Sequence, residues 1–148
     1  MIGVMENSKI EQVEVERFKS LFLRGIAFIF WFPGIILMEL PLNKFLMAIV
    51  AVISSVFGIL FIYAVIKVFR VFRKIKGDQV LQQALMNEMY LSFDYKALVT
   101  GFYSTLIYVI LLFLLSDFVD IPVRVICLTI VYVAVVVTEL RRFFLYRQ

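Results

Sequence analysis

Four apolar runs of about twenty residues each limit what this chain can fold into more than any other feature. They cover residues 21–40, 45–66, 97–116 and 121–140. A hydrocarbon core about 30 Å thick is crossed by about 20 helical residues rising 1.5 Å each, so every run is long enough to span a bilayer. The chain is 148 residues long and 64% apolar, against about half for an ordinary globular domain, and that excess excludes disorder and favours lipid as the solvent. The fold class that follows is an all-α integral membrane protein with four transmembrane helices.

The gaps between the first two runs and between the last two are only a few residues, so each pair is expected to form an antiparallel hairpin. Charge then orients the hairpins. Of fifteen Lys and Arg, only Lys44 and Arg124 lie in or beside the two tight turns; the other thirteen flank the opposite ends. The positive-inside rule places both termini and the middle segment in the cytoplasm (N-in/C-in). The expected organisation is a cytoplasmic amphipathic arm (1–20), transmembrane hairpin 1 (21–66), a basic amphipathic cytoplasmic segment (67–96), transmembrane hairpin 2 (97–140) and a basic tail (141–148). This describes a multi-pass protein of a cell membrane, with a bacterial inner membrane the expected site. Glu6, Glu11, Glu14 and Glu16 do not suit the basic region of a signal peptide, so the first span is expected to be retained.

Within the arm, Ser8 and Glu11 have the spacing of a capping box, and Val15, Phe18 and Phe22 fall on one helical face. In the first span Pro33 removes the backbone bond to residue 29 and predicts a kink beside Gly34. Such a bend serves packing, or it exposes carbonyls to an ion. Ala48, Ala51, Ser55 and Gly58 share one face of the second span, and Gly101, Ser104 and Tyr108 share one face of the third. Small residues let backbones approach, so these seven are the expected helix-packing or oligomer face. Ser54, Tyr132 and the other hydroxyls near mid-depth predict a polar layer, as interhelical glue or as the lining of a path. Ionisable residues are confined to the span ends, at Arg24, Glu39, Arg124 and Glu139, which argues against proton-coupled transport. The two tight turns share a pattern of acid, apolar residue, proline and apolar residue (39–42 and 120–123), a weak internal repeat.

The middle segment is the most elaborated. Lys67, Arg70, Arg73, Lys74 and Lys76 alternate with apolar residues, which predicts that the second helix continues as a basic amphipathic extension until Gly77 and Asp78 break it. Residues 79–88 read as a further amphipathic helix. Together with Glu88, the basic residues form the expected cytoplasmic surface for anionic lipid headgroups or a protein partner, and nucleic acid is not expected. Catalysis is not expected either. There is no histidine and one cysteine, Cys127, so no metal site, cofactor site or activated nucleophile can be assembled by pattern.

Asn87-Glu88-Met89, followed by Lys96-Ala97 eight residues after the glutamate, resembles the Asp-Glu-Arg box and Lys-Ala pair of a family of small four-span bacterial and archaeal membrane proteins. Members of that family are often encoded beside helix-turn-helix regulators, and their function is unknown. The aspartate and arginine of the box are replaced here. The resemblance implies a regulatory or accessory role and no activity. The functional expectation is a non-enzymatic accessory or regulatory membrane protein that forms a homo-oligomer and presents its cytoplasmic face to a protein partner. The alternative is an oligomeric channel or membrane-perturbing component of a bacterial defence or stress system.

Overall fold

A computed structural model describes residues 2–86, 88–115, 118 and 120–147, with backbone alone for 2–7, 88 and 147. Among the described residues five helices follow in order: α1 (Ile2–Met38), α2 (Lys44–Lys76), α3 (Gln79–Leu85), α4 (Glu88–Leu115) and α5 (Val123–Arg147). The protein is all-helical, and α1, α2, α4 and α5 are long and apolar enough to cross a membrane. A multi-pass membrane protein is the class these helices define.

Helix ends follow local chemistry. Asn43 caps α2, its side chain accepting from the Leu46 N–H at 2.8 Å. Arg73, Lys74 and Lys76 close the same helix where its dipole is negative, and the Gly77 N–H returns to the Arg73 carbonyl at 3.1 Å. Asp78 then caps α3, accepting from Val80 at 3.0 Å and Leu81 at 3.4 Å. The break at Gly77 and Asp78 stands as expected, but the helix after it ends at Leu85, and Glu88 opens α4. The two proline turns are built differently. Pro122 directly precedes α5 and accepts from Ile126 at 3.1 Å, whereas Pro41 stands two residues before the Asn43 cap.

The capping box at Ser8 is not used. α1 is already helical from Ile2, and residues 9–20 contain no glycine or proline to restart it, so Ser8 sits inside the helix. The buried face of this stretch also differs from the expected one. Val15 and Phe22 are exposed, while Val13, Arg17, Ser20 and Ala27 are buried. A count of apolar positions misses that face because two of its members are polar.

α1 is the central element. Over its most apolar stretch 28% of residues are buried, against 6% in each of the other three long helices. It packs on α2 and on α5, and α5 packs on α4, so the order in space is α2, α1, α5, α4. Among the described residues α2 and α4 do not pack closely on each other beyond the α3 end, which leaves a trough floored by α1 and α5. The surface is 10481 Å², where a globular protein of this mass exposes about 7,800 Å². The excess is apolar side chains on the outer faces, such as Val52, Ile59, Phe102 and Phe113, which only lipid or another chain can cover.

Candidate functional site

The polar chemistry of the molecule is concentrated at the end of the bundle where α3 lies. Val13, Val71, Ile75, Leu81, Leu85 and Tyr90 bury one another there, drawing on α1, α2, α3 and α4. α3 is only seven residues long and could not hold a helix alone. Burial of Leu81 and Leu85 holds it, and Arg17 fastens it.

Arg17 is 5% exposed and reaches outward from α1 to all four other helices. Its Nη1 donates to the Leu85 carbonyl at 2.6 Å, supplying a partner for one of the carbonyls that the end of α3 leaves open. Its Nη2 donates to the Tyr146 hydroxyl at 2.9 Å. The guanidinium lies 4.7 Å from the Tyr90 ring centre and 5.4 Å from those of Phe72 and Tyr146, within the range of cation–π attraction. Arg17 Nε is the only buried side-chain nitrogen or oxygen without a partner among the described residues. Guanidinium is weakly hydrated and planar, which makes arginine the basic residue best suited to such an aromatic box.

From Tyr146 a chain of bonds runs along α5. The Tyr146 hydroxyl donates to Asp94 at 3.3 Å, Arg142 Nε donates to the same oxygen at 2.8 Å, and Arg142 Nη1 donates to Glu139 at 2.7 Å. Arg24 closes the chain onto Glu139 at 2.5 Å. Tyr90 donates in turn to Glu14. Arg24 and Arg142 are thus paired with Glu139 and Asp94, which lets charges sit at the edge of an apolar bundle, while Arg17 is linked to Glu14 through Tyr90. At the rim Lys9 donates to Asp78 at 2.6 Å. That bond first, and the Leu81 N–H second, hold the Asp78 carboxyl below its ordinary value.

The four ionisable residues at the span ends are paired. Arg24 meets Glu139 at one end of the α1–α5 seam, and Glu39 meets Arg124 at 3.7 Å at the other. The signal was present in the numbering. Residues 24 and 39 have the same separation as 124 and 139, with arginine first and glutamate second in both, so that two helices running in opposite directions bring unlike charges together at each end. The pair involving exposed Arg124 is worth little, while the half-buried Arg24–Glu139 pair belongs to the network.

Mid-depth hydroxyls find backbone on α1. Pro33 cannot donate to the Ile29 carbonyl, and the Tyr132 hydroxyl donates to it at 3.3 Å. Ser54, 5% exposed, donates to the Trp31 carbonyl at 3.2 Å. Thr105 and Thr129 bond to carbonyls of their own helices instead. Around this point Phe28, Trp31, Phe32, Phe61 and Tyr132 pack in a mixture of stacked and edge-to-face pairs with ring centres 5.0–6.3 Å apart.

The seven small-face residues fall on different seams. Gly58 lies against Trp31 of α1, and Gly101 is buried against Ala134 and Thr138 of α5. Ala51, Ser104 and Tyr108 are half-buried, and Ala48 and Ser55 are exposed. Of the basic set, Lys67 is half-buried while Arg70, Arg73, Lys74 and Lys76 are exposed, Lys74 within 3.6 Å of Glu16. Asn87 and the side chain of Glu88 lie outside the described residues.

Comparison with protein-family models, curated proteins and solved structures gives no match. Function is therefore argued from this site alone. Among the described residues no three His, Cys, Asp or Glu side chains come together as a metal would require. Cys127 is exposed on α5. The arrangement is suited to fastening α3 and the two membrane-length helix pairs to one another.

Proposed function

We propose that this protein is a non-enzymatic accessory or regulatory membrane protein, two antiparallel hairpins with both termini and α3 in the cytoplasm, which presents the α3 end to a protein partner. The observation that carries the reading is Arg17. A buried arginine is a costly way to tie a seven-residue helix to a bundle, and it supports a role in which the shape of that end matters. The outward residues Arg70, Lys74, Gln82 and Gln83 are exposed around it and offer a basic, hydrogen-bonding surface. The resemblance to four-span proteins encoded beside regulators agrees with this role. Ala48 and Ser55, exposed on the outer side of α2, leave a small-residue face for a second copy.

Two measurements test the reading. In a Cys127→Ser background, single cysteines at positions 82 and 120 are labelled in intact cells with an impermeant maleimide; labelling at 120 and protection at 82 are expected, and the reverse overturns the orientation. Crosslinking and capture from native membranes then compares the unaltered chain with Arg70→Glu/Lys74→Glu/Gln82→Ala/Gln83→Ala. Loss of a specific partner is expected, and equal recovery of every captured protein removes the proposal.

A further inference from the structure

We infer that the trough between α2 and α4 holds one anionic glycerophospholipid of the surrounding bilayer, its phosphate at Arg73 and Lys76 and its acyl chain over Phe61, Val65, Leu98 and Val135. The trough encloses about 1040 Å³, at the upper end of the roughly 300–1,000 Å³ of small-molecule sites. It is open along its side toward the surroundings, because α2 and α4 do not pack closely along it. A space of that size walled by apolar side chains within a membrane is filled by lipid.

The lining is graded. Its deep part is apolar, and its mouth carries Arg24, Arg73, Lys76 and Arg142 with Glu139 the one carboxylate. Arg24 and Arg142 are occupied by Glu139 and Asp94. Arg73 and Lys76 are exposed, and neither has a carboxylate partner among the described residues. With Asp94 counted beside Glu139, four cations against two acids leave a formal excess of two positive charges, those of Arg73 and Lys76, at a place where lipid headgroups stand. Anionic headgroups answer that excess; a second copy of the chain laid symmetrically into the trough would bring the same cations against it.

Order agrees as well. Along α2 the apolar lining residues Phe61 and Val65 come first, and Arg73 and Lys76 follow about 12–22 Å further toward the α3 end. Chain and phosphate are thus met along a single helix face by residues 61, 65, 69, 72, 73 and 76. Arg70 and Lys74 lie outside the trough lining. The inference rests on the helices crossing a bilayer and not on the protein partner, so the two stand or fall separately.

The test uses the full chain purified in mild detergent, with native mass spectrometry against phosphatidylglycerol and phosphatidylcholine of identical acyl chains. One phosphatidylglycerol is expected to be retained with roughly thirtyfold preference, from about 1 kcal/mol for each of two charges near a headgroup. Arg73→Gln with Lys76→Gln brings the two lipids to parity, while Arg70→Gln with Lys74→Gln, which removes the same charge outside the trough, keeps the preference. Val135→Trp fills the trough and lowers retention of both lipids. Parity in the unaltered chain, preference surviving the Arg73/Lys76 change, or equal loss from the Arg70/Lys74 change each overturns the inference. Should Val135→Trp fail to fold, the two charge variants, which alter only exposed side chains, still decide it.

Discussion

Gly34 and Ser54 can exchange their size across the α1–α2 seam, and the exchange measures whether these helices touch where the structure puts them. A Cβ placed on Gly34 lies 2.6 Å from Ser54 Cβ and 2.7 Å from its Oγ, but 3.5 Å from its Cα. Ser54 Cβ is fixed to the backbone and cannot swing away, so Gly34→Ala forces the helices apart, at about 1–3 kcal/mol for overpacking. Ser54→Gly alone costs about 1 kcal/mol, from lower helix propensity and loss of the bond to the Trp31 carbonyl. If independent, the two changes together cost about 2–4 kcal/mol. The structure predicts far less, about 0–1 kcal/mol. With Ser54 reduced to glycine, the new methyl meets only the Cα at ordinary contact distance, and the alanine at 34 returns about 1 kcal/mol of propensity. No glycine among the described residues has positive φ, so alanine fits the backbone at 34. Reversible unfolding in mixed micelles, titrated with sodium dodecyl sulfate, supplies the four free energies. A double variant that matches the sum of the singles to within about 0.5 kcal/mol refutes the close approach.

Three further outcomes are expected. Tyr132→Phe destabilises by about 0.6–2 kcal/mol in the native chain and by less beside Pro33→Ala, because the restored amide at 33 then supplies the Ile29 carbonyl; an equal cost in both backgrounds removes that link. Arg17→Met strips the Leu85 carbonyl and the Tyr146 hydroxyl of their charged donor, costs about 2–3 kcal/mol and raises amide hydrogen exchange in α3, whereas unchanged protection of residues 79–85 contradicts the fastening role. The Asp78 carboxyl is lowered in the folded chain, so its contribution to capping α3 is complete above the ordinary carboxylate value and is lost as pH falls through the lowered one; Lys9→Met moves that loss to higher pH, followed by exchange at Val80 and Leu81.

Membrane-length helices were legible because 20 apolar residues in sequence carry their own length scale. The helix boundary at Gly77 and Asp78 was legible because a glycine followed by a capping acid is a local signal. The N-terminal arm was misread at Ser8 for the converse reason. A capping box marks where a helix can start, and nothing local shows that it has already started upstream. The small-residue stripes located seams, at Gly58 and Gly101, but a stripe does not name the helix it meets.

Pro33 and Tyr132 show where legibility stops. The sequence by itself determined that Ile29 would have a free carbonyl and that a tyrosine at mid-depth would need an acceptor, because both follow from covalent chemistry. That each answers the other is a fact of the α1–α5 contact, across about a hundred residues of chain. Arg17 is the stronger case. Its charge places it by pattern on an exposed or interfacial face, and only the meeting of all five helices creates the aromatic box and the carbonyl that make its burial affordable. Apolar length and charge placement are additive along the chain and can be read one residue at a time. Pairing energies depend on which surfaces coincide, and the tertiary structure alone decides that.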